Sequence, residues 1–294
     1  MAVQWYPGHM HKARKQIKSA MPQVDVVIEV LDARIPYSSE NPVIDELRGK
    51  RPCIKILNKS DLADPDMTRR WAEYYETEQG VRVLPLSAEQ KGQGQRVMDL
   101  CRKLGRQAFP ERKFAIKPLR LMILGIPNVG KSTLINALAG RTIARVGNEP
   151  AVTKSQQRIS LDDGLVLSDT PGILWPRMDD VNNGYRLAIT GAIRNTAIQF
   201  EDVALYAAGA MKVLYPDALK ARYKLTELPE NDLALLEVIG RKRGGLRAGG
   251  KIDLYKASEV LLHDIRAGSL GRVTLETPEM IPEPVLDADE ASNS

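Results

Sequence analysis

Residues 125–132 read Gly-Ile-Pro-Asn-Val-Gly-Lys-Ser, and this stretch decides how the rest of the chain is interpreted. It matches the pattern G-x-x-x-x-G-K-[ST], in which glycines let successive backbone N–H groups converge on phosphate oxygens. An apolar, strand-like run at 119–125 precedes the loop, and the helix-like run TLINALAG follows it. The positive end of the helix dipole then meets the phosphates. The stretch therefore predicts a phosphate-binding loop between a strand and a helix.

The side chains of this loop have separate predicted roles. Lys131 is expected to reach the terminal phosphates of a nucleotide, and the Ser132 hydroxyl is expected to bind Mg²⁺. The backbone that surrounds the phosphates comes from the turn and from the first helical residues. The predicted nucleotide contacts in this part of the chain are Asn128, Val129, Gly130, Lys131, Ser132 and Thr133.

The segments around the loop predict the fold class. Four short apolar runs, mostly β-branched, are typical of buried parallel strands, and the intervals between them are long enough for helices. They cover 24–32, 53–58, 81–86 and 119–125. Two further runs, 157–161 and 165–168, flank Asp-Asp-Gly, which favours a hairpin turn. The chain is therefore predicted to form an α/β domain around a six-stranded, mostly parallel sheet.

Two segments beyond the loop are suited to sensing its ligand. Asp169-Thr-Pro-Gly172 closes the second hairpin strand, where the carboxylate can hold Mg²⁺ through water and the glycine N–H can contact the γ-phosphate. Thr153 lies 21 residues beyond Ser132 and just before the hairpin, so it is predicted to close over Mg²⁺ as a switch threonine. The predicted metal ligands are Ser132, Thr153 and, through water, Asp169.

The stretch Asn58-Lys59-Ser-Asp61 follows a predicted strand and indicates which base is bound. A carboxylate at Asp61 can accept hydrogen bonds from guanine N1–H and from the exocyclic N2 amine, and adenine offers neither donor. A site built on such a bond rejects the analogue that lacks it, because its own polar group would stay unpaired. Ser87-Ala88, after the run 81–86, is the predicted backbone contact to the base.

The order of these motifs indicates a circular permutation. The guanine-reading stretch and Ser87-Ala88 precede the phosphate loop, whereas they ordinarily follow it. In detail the chain resembles the RbgA/YlqF family of ribosome-assembly GTPases. The resemblance rests on WYPGHM (5–10), VVIEVLDARIPYSSENP (26–42), DTPGILWP (169–176) and RAGGKIDLYKASEVLLHDIRAGSLGRVTLE (247–276). It implies GTP binding and hydrolysis to GDP, coupled to maturation of the large ribosomal subunit.

The predicted domain organisation follows from a change in composition. Residues 1–178 carry the permuted nucleotide-binding motifs, and residues 179–277 are rich in Ala and Leu at helical spacing, which predicts a smaller all-helical domain. The stretch 278–294 is acidic and Pro-rich, and we expect it to be disordered. The switch segment that follows Asp169 leads directly into the helical domain, so the pose of that domain is expected to follow the nucleotide.

The group that positions the attacking water is less evident. The residue after Gly172 is Ile173, which cannot orient water as a glutamine would. His9 is the candidate replacement, because an imidazole can orient or deprotonate water near neutral pH, and His11 is the less favoured alternative. In potassium-activated GTPases an asparagine at the place of Asn128 helps to coordinate K⁺, so K⁺ is a second candidate. An rRNA group is a third.

Charge points to a polyanionic partner. The formal net charge is +5, and all six charged residues after Arg272 are acidic, so the remainder of the chain is more basic still. Two basic groups are predicted to contact rRNA phosphates, and with the family resemblance they indicate the large-subunit precursor, its rRNA and its proteins, as the partner. They comprise Lys12, Arg14, Lys15 and Lys18, and Arg241, Lys242, Arg243, Arg247 and Lys251. We expect no DNA partner and a monomer.

Composition bounds the remaining properties. With 43% apolar and 27% charged residues the chain is of ordinary globular type. It lacks a secretory signal and any long apolar run, which predicts a cytoplasmic protein without a membrane partner. Two cysteines form no disulfide framework.

Two other functions stay open at this stage. A nucleotide-gated RNA-binding scaffold with negligible catalysis would fit Ile173. An ATP-dependent kinase would use the same phosphate loop, but Asn58 and Asp61 argue against it.

Overall fold

The computed structural model describes residues 7–114, 116–143, 157–161, 164–169, 181–193, 199–245 and 251–281. The strands are β1 Val26–Asp32, β2 Cys53–Asn58, β3 Val81–Pro85, β4 Leu119–Leu124, β5 Gln157–Leu161 and β6 Leu165–Asp169. The first helices are α1 Pro7–Ala20, α2 Pro36–Ser39, α3 Pro42–Arg48, α4 Pro65–Glu76, α5 Gln93–Ala108 and α6 Lys131–Ala139. The later ones are α7 Val181–Thr190, α8 Phe200–Leu214, α9 Pro216–Tyr223, α10 Asp232–Lys242 and α11 Leu254–Arg266.

The strands form one sheet in the order β3-β2-β1-β4-β6-β5. All neighbouring pairs are parallel except β5 and β6, which form the antiparallel hairpin predicted around Asp-Asp-Gly. The prediction of a six-stranded, mostly parallel sheet is therefore confirmed. Because strands β1, β2, β3, β4 and β6 are parallel, the motif that follows each of them emerges at one edge of the sheet.

Some strand limits differ from those predicted by one or two residues. The apolar run from residue 24 becomes a strand only at Val26, because the chain first makes a 3-10 turn at Met21–Gln23 and Asp25 is used to anchor β4. The Asp25 carboxylate accepts a hydrogen bond from the backbone N–H of Arg120 at 2.8 Å. At its carboxyl end β4 stops at Leu124, one residue before the predicted limit, because Gly125 has a positive φ of 150°.

Two apolar clusters cover the two faces of the sheet, since successive strand residues point to opposite sides. On one face β1 contributes Val27 and Leu31, which pack with residues of α1, α3 and α4. On the other face Ile28 and Val30 pack with residues of α5 and α6. With both faces covered, the central strands are apolar almost throughout, as parallel strands are.

The C-terminal helices α7 to α11 were expected from the Ala- and Leu-rich composition. Three apolar stretches of this region, 202–215, 231–239 and 254–265, correspond to α8, α10 and α11 within a few residues. Asn231 and Asp253 cap α10 and α11 by accepting from backbone N–H groups of the first turn. Buried residues of α8 and α11 belong to the same apolar cluster as α5 and α6. The domain limits at 178 and 277 stay a prediction.

The described chain continues beyond residue 277. Pro278–Met280 forms a 3-10 helix, Glu279 pairs with Arg70 of α4, and Ile281 packs against the cluster under α4. Residues 282–294 lie outside the described part. No helix among the described residues is both long and apolar enough to cross a membrane.

Candidate nucleotide-binding site

The phosphate loop takes its shape from glycines that no other residue can replace without a clash. Gly125 has a φ of 150°, and a Cβ there would lie 2.5 Å from the backbone oxygen of Val30 in the neighbouring strand. Gly130 has a φ of 98°, and a Cβ there would overlap the amide nitrogen of Asn58. Both positions combine a left-handed backbone with no room, which is how glycine allows a close approach of backbone to a ligand.

The residues after the turn occupy the first turn of α6, as predicted. Lys131 is only 7% exposed, and its Nζ donates to the backbone oxygen of Ile126 at 2.8 Å. The ammonium therefore lies inside the loop and closes it. Ser132 and Thr133 are half-buried at the N-terminus of the helix. An oxyanion fits such a site, because a lysine, free helix N–H groups and the helix dipole meet there.

Asn58 connects the three predicted nucleotide motifs. Its Oδ1 accepts from the backbone N–H of Ala88 at 2.9 Å, and its Nδ2 donates to the backbone oxygen of Val129 at 2.6 Å. The side chain is 2% exposed. Its amide therefore uses both a donor and an acceptor inside the protein, which ties the end of β2 to the phosphate loop and to the loop after β3. Ser87, next to Ala88, is also buried.

Lys59 extends this connection to β1. Its backbone has a positive φ of 59°, and its Nζ donates to Asn128 O at 2.7 Å and to Asp32 Oδ2 at 2.9 Å. Asp32, the last residue of β1, also receives two hydrogen bonds from the Arg34 guanidinium, at 2.9 and 2.7 Å. Burial by itself raises the pKa of the Asp32 carboxyl, but the charges of Arg34 and Lys59 outweigh it, so that pKa lies well below its usual range.

Asp32 and Arg34 were not predicted as site residues. They lie in the stretch VVIEVLDARIPYSSENP, which was used only for the resemblance. The signal that would have identified them is position: an acidic residue ends a buried strand that neighbours both the strand of the phosphate loop and the strand of Asn58.

Asp61 is exposed beyond this cluster, in the turn between β2 and α4. Its carboxylate makes no hydrogen bond or ion pair with the described side chains, whereas Asn58 and Lys59, three and two residues earlier, both bind other parts of the protein. An exposed carboxylate held at a fixed place beside the phosphate loop is suited to accept the donors of a ligand. The geometry thus allows the predicted contact to guanine.

Several predicted residues cannot be placed completely. Thr153, Gly172, Ile173 and Arg247 lie outside the described residues. Asp169 ends β6 in register with Ile123 of β4, so its backbone is at the same sheet edge, although its side chain is not described. Among the described residues no group of three His, Cys, Asp or Glu side chains is arranged to hold a metal ion. The Mg²⁺ site predicted from Ser132, Thr153 and Asp169 stays a prediction.

Asn128, the residue considered for K⁺, has a definite position. It sits at the tip of the phosphate loop with a positive φ of 60°, and its Nδ2 donates to the backbone oxygen of Gly191 at 2.8 Å. Gly191 directly follows α7. The phosphate loop therefore contacts the C-terminal helical region through this amide, a contact that motif spacing could not have indicated.

The N-terminal residues predicted for catalysis and RNA binding belong to α1. His9 and Lys12 lie in this helix, and their side chains are not among those described. Arg14 Nη2 donates to both carboxylate oxygens of Glu46, at 2.9 and 2.8 Å, whereas Lys15 and Lys18 are exposed. Two lysines of the predicted group are thus available to a polyanion.

The helical region carries a basic cavity that sequence reasoning described only in part. Of the predicted residues, Arg241, Lys242, Arg243 and Lys251 are exposed. Only Arg243 also lines a cavity of about 570 Å³ between α9, α10 and α11. Its other basic lining residues are Arg222, Lys256, His263 and Arg266. The bases come from α9, from the residue directly after α10 and from α11, so only the packing of these helices reveals the cluster. Two acids, Glu259 and Asp264, also line the cavity, and Asp264 pairs with Arg222.

No chemical role is predicted for the two cysteines. Cys53 and Cys101 are buried and unpaired by a disulfide. Burial raises the pKa of both thiols, to about 12 for Cys101. Neither forms a reactive thiolate at neutral pH.

The chain is similar in sequence and in structure to known GTPases. A family model described as 50S ribosome-binding GTPase matches residues 120–220. Ribosome biogenesis GTPase A of Bacillus cereus is 46% identical over 98% of this chain and 98% of its own length. The crystal structure of GNP-bound YlqF from T. maritima has a TM-score of 0.66 at 28% identity, covering 92% of this chain and all of that one. A GDP-bound YlqF has a TM-score of 0.63, also at 28% identity, covering 90% of this chain and 99% of that one.

Proposed function

This chain is a GTPase that belongs to the ribosome biogenesis GTPase A family, and we propose that it binds a precursor of the large (50S) ribosomal subunit in its GTP state. It then promotes late maturation of that subunit and leaves after hydrolysis. The observation that most directly supports the nucleotide-binding part of this proposal is the contact of Asn58 with both Val129 and Ala88. One side chain thereby holds the phosphate loop and the base-reading loops at one edge of the sheet.

In this proposal the nucleotide lies across the carboxyl ends of β2, β3 and β4. The backbone of 128–133 and the Lys131 ammonium hold the phosphates, and the Nζ atom exchanges Ile126 O for a phosphate oxygen. Asp61 accepts the N1–H and N2 donors of guanine, and the backbone at Ser87-Ala88 faces the base. Lys59 spans Asp32 and the phosphate loop, so it supports the floor under the nucleotide.

Hydrolysis in this proposal requires groups from outside the phosphate loop. Ser132, Thr153 and Asp169 would hold Mg²⁺, which would supply charge stabilisation for the transferred phosphoryl group. Gly172 senses the γ-phosphate. Ile173 cannot orient water, so His9 takes that role. Asn128 would hold K⁺, which would supply positive charge as an arginine finger does in other GTPases.

The partner in this proposal is rRNA, which the protein binds through two basic surfaces. Lys12, Arg14, Lys15 and Lys18 of α1 form one contact, and the basic cavity between α9, α10 and α11 forms the other, joined by Arg241, Lys242, Arg247 and Lys251. Cavities lined by several arginines suit the phosphates and folded shape of structured RNA. The free protein is a cytoplasmic monomer that needs neither DNA nor membrane.

The test is the GTPase rate in K⁺ buffer, alone and with purified large-subunit precursors. We expect a slow basal rate that precursors raise by about a hundredfold, a scale that an added catalytic group accounts for. His9→Ala should lose the stimulation while it still binds GTP. His11→Ala is the matched control, two residues away in the same helix, and it should retain the stimulation.

Two substitutions separate the parts of the proposal. Replacing K⁺ by Na⁺ should lower the stimulated rate if Asn128 holds K⁺, and Asn128→Ala should make the two salts equivalent. Lys256→Glu, in the basic cavity, should weaken precursor binding without changing affinity for GDP. A precursor that neither binds nor stimulates the wild type contradicts the proposed partner, whereas equal stimulation of His9→Ala contradicts only its catalytic role.

A further inference from the structure

A short segment near the C-terminus lies against the loop that carries Asp61. Residues 272–276, which we call the C-terminal strap, follow α11 and cross the turns that leave β1 and β2. Residues 58–64, which we call the guanine-reading loop, form the second of these turns. The two segments are about two hundred residues apart in the sequence, yet they are joined by a row of direct hydrogen bonds.

Arg272 binds the guanine-reading loop on both sides of Asp61. Its Nη2 donates to the backbone oxygen of Ser60 at 2.8 Å, and its Nε donates to that of Ala63, also at 2.8 Å. The backbone N–H of Val273 donates to the oxygen of Leu62 at 3.0 Å. Three donor groups from two consecutive strap residues thus hold three of the four backbone carbonyls of residues 60–63.

The next strap residue closes the far end of the same loop. Thr274 Oγ1 accepts from the backbone N–H of Asp64 and donates to Ala33 O, both at 3.2 Å. Tyr215, the residue between α8 and α9, donates its hydroxyl proton at this junction, where Asp64 Oδ2 and Thr274 O both lie within 3.1 Å. The loop is therefore fixed against both the turn after β1 and the connection between α8 and α9.

The strap is itself anchored and can serve as a fixed support. The backbone N–H of Leu275 donates to Arg34 O at 2.8 Å. Glu276 is buried, and its carboxylate accepts from the backbone N–H groups of Tyr37 and Ser38 at the start of α2. Trp71 Nε1 donates to the backbone oxygen of Glu276 at 3.1 Å. Arg272 thus begins a segment whose other end is fixed by hydrogen bonds to the turn after β1, to α2 and to α4.

We propose that Arg272 is a positioning residue for guanine recognition, because it fixes the turn from which Asp61 projects. The Asp61 side chain is exposed and forms no hydrogen bond with another described side chain. The backbone on either side of Asp61 therefore determines the position of its carboxylate. Charged donors on two carbonyls hold that backbone more strongly than neutral ones. This inference rests on the proposed role of Asp61 as the guanine reader.

The experiment compares the affinities for GDP and for inosine diphosphate, which lacks only the exocyclic amine that Asp61 is proposed to bind. Dissociation constants are measured by displacement of a fluorescent GDP analogue from the full-length protein. The wild type should prefer GDP, and Asp61→Asn should lose that preference. Arg272→Ala should reduce the preference for GDP by about tenfold. This corresponds to a loss of about 1.4 kcal/mol in the binding of GDP that is not matched in the binding of inosine diphosphate.

Matched variants separate positioning from general damage. Arg272 is exposed, so Arg272→Ala should retain the melting temperature of the nucleotide-free wild type within about 2 °C. Arg272→Lys keeps the charge but has one donor group for two carbonyls, so its preference should be intermediate. Arg70→Ala is the control, because Arg70 pairs with Glu279 just beyond the strap and contacts neither Ser60 nor Ala63. It should keep the full preference for GDP.

The outcomes distinguish the two levels of the argument. If Asp61→Asn still prefers GDP, the proposed guanine reader is wrong, and the role of Arg272 falls with it. If Asp61→Asn loses the preference while Arg272→Ala binds both nucleotides as the wild type does, only the positioning role is overturned. An equal loss of affinity for both nucleotides in Arg272→Ala also overturns it, because the loop would then act on binding in general.

Discussion

The phosphate loop and the guanine-reading loop lie at the same edge of the sheet, but they are held in different ways. The phosphate loop is formed by consecutive residues, and its shape depends on glycine conformations at Gly125 and Gly130. The guanine-reading loop contains no glycine, and partners from distant parts of the chain hold it, including Ala88, Val129 and Arg272. One loop is a local structure, and the other is a product of the tertiary fold.

This difference separates binding from selectivity. A phosphate group is bound by backbone N–H groups and a helix dipole, which a short sequence can provide by itself. A base is selected by one carboxylate at a definite place, and the free energy that discriminates depends on its position. We therefore expect substitutions in the first loop to act on all nucleotides and substitutions around the second to act on the choice among them.

The largest effect is expected at Gly125. Gly125→Ala places a Cβ 2.5 Å from Val30 O, and the φ of 150° is unfavourable for alanine. A backbone atom of a central strand cannot move away, so we expect unfolding to become easier by about 3 kcal/mol and nucleotide binding to be lost. Urea denaturation and titration with GDP measure the two effects.

Gly140 provides the control for that substitution. It has a φ of 63°, and no atom lies within 4 Å of where its Cβ would be. Gly140→Ala should therefore cost only the conformational strain, about 1 kcal/mol, and should leave GDP affinity intact. Equal losses in the two variants would show that the close approach to Val30 has no importance.

A smaller effect is expected where the two loops meet. Asn58→Asp keeps the shape and the acceptor for Ala88 N–H, but it replaces the donor to Val129 O by an oxygen. Two buried acceptors then face each other, which we expect to cost about 2 kcal/mol in stability and to lower GDP affinity by about thirtyfold. Asn231→Asp is the control, because the Asn231 oxygen that accepts from Ala234 N is retained. Equal affinities of the two variants would contradict the role of Asn58 as the link.

A third comparison concerns charged side chains that are buried in the sheet, outside the nucleotide loops. Glu29 of β1 is in register with Lys55 of β2, and both side chains are fully buried. Lys55 also binds Glu40 and Glu78. Burial is the main reason that the pKa of Glu29 is raised, to about 8, with Lys55 acting against the increase and Glu40 adding to it.

The raised pKa of Glu29 predicts a pH dependence of stability. Between about pH 4.3, where the unfolded carboxyl titrates, and about pH 8, the folded state holds a proton that the unfolded state has lost. The free energy of unfolding should therefore fall as pH rises through this interval, by at most about 1.4 kcal/mol per pH unit for one proton. Glu29→Gln should remove this slope, whereas Glu46→Gln on the surface should keep it. Urea denaturation at pH 6 and pH 8 measures it, and identical slopes in wild type and Glu29→Gln would refute the prediction.

Much of the fold could be predicted because its signals are local. Each strand was evident as a short apolar run, and the hairpin between β5 and β6 from Asp-Asp-Gly. Strand limits were less certain, since the start of β1 depends on how Asp25 binds Arg120, a contact made across the sheet. The motifs of the site were predictable for the same reason, but Asp32 and Arg34 were missed, because their importance comes from which strands are neighbours.

The sequence by itself determined that a phosphate loop lies between β4 and α6, that the stretch Asn58-Lys-Ser-Asp61, proposed to read guanine, follows β2, and that the order of the two is permuted. These features depend on residue type and spacing along the chain. The tertiary structure decided that Asn58 joins three motifs, that five basic side chains of the helical region form one cavity, and that Arg272 holds the loop of Asp61. Such contacts join residues far apart in sequence, and only the packing of helices and strands into a single core brings them within hydrogen-bonding distance.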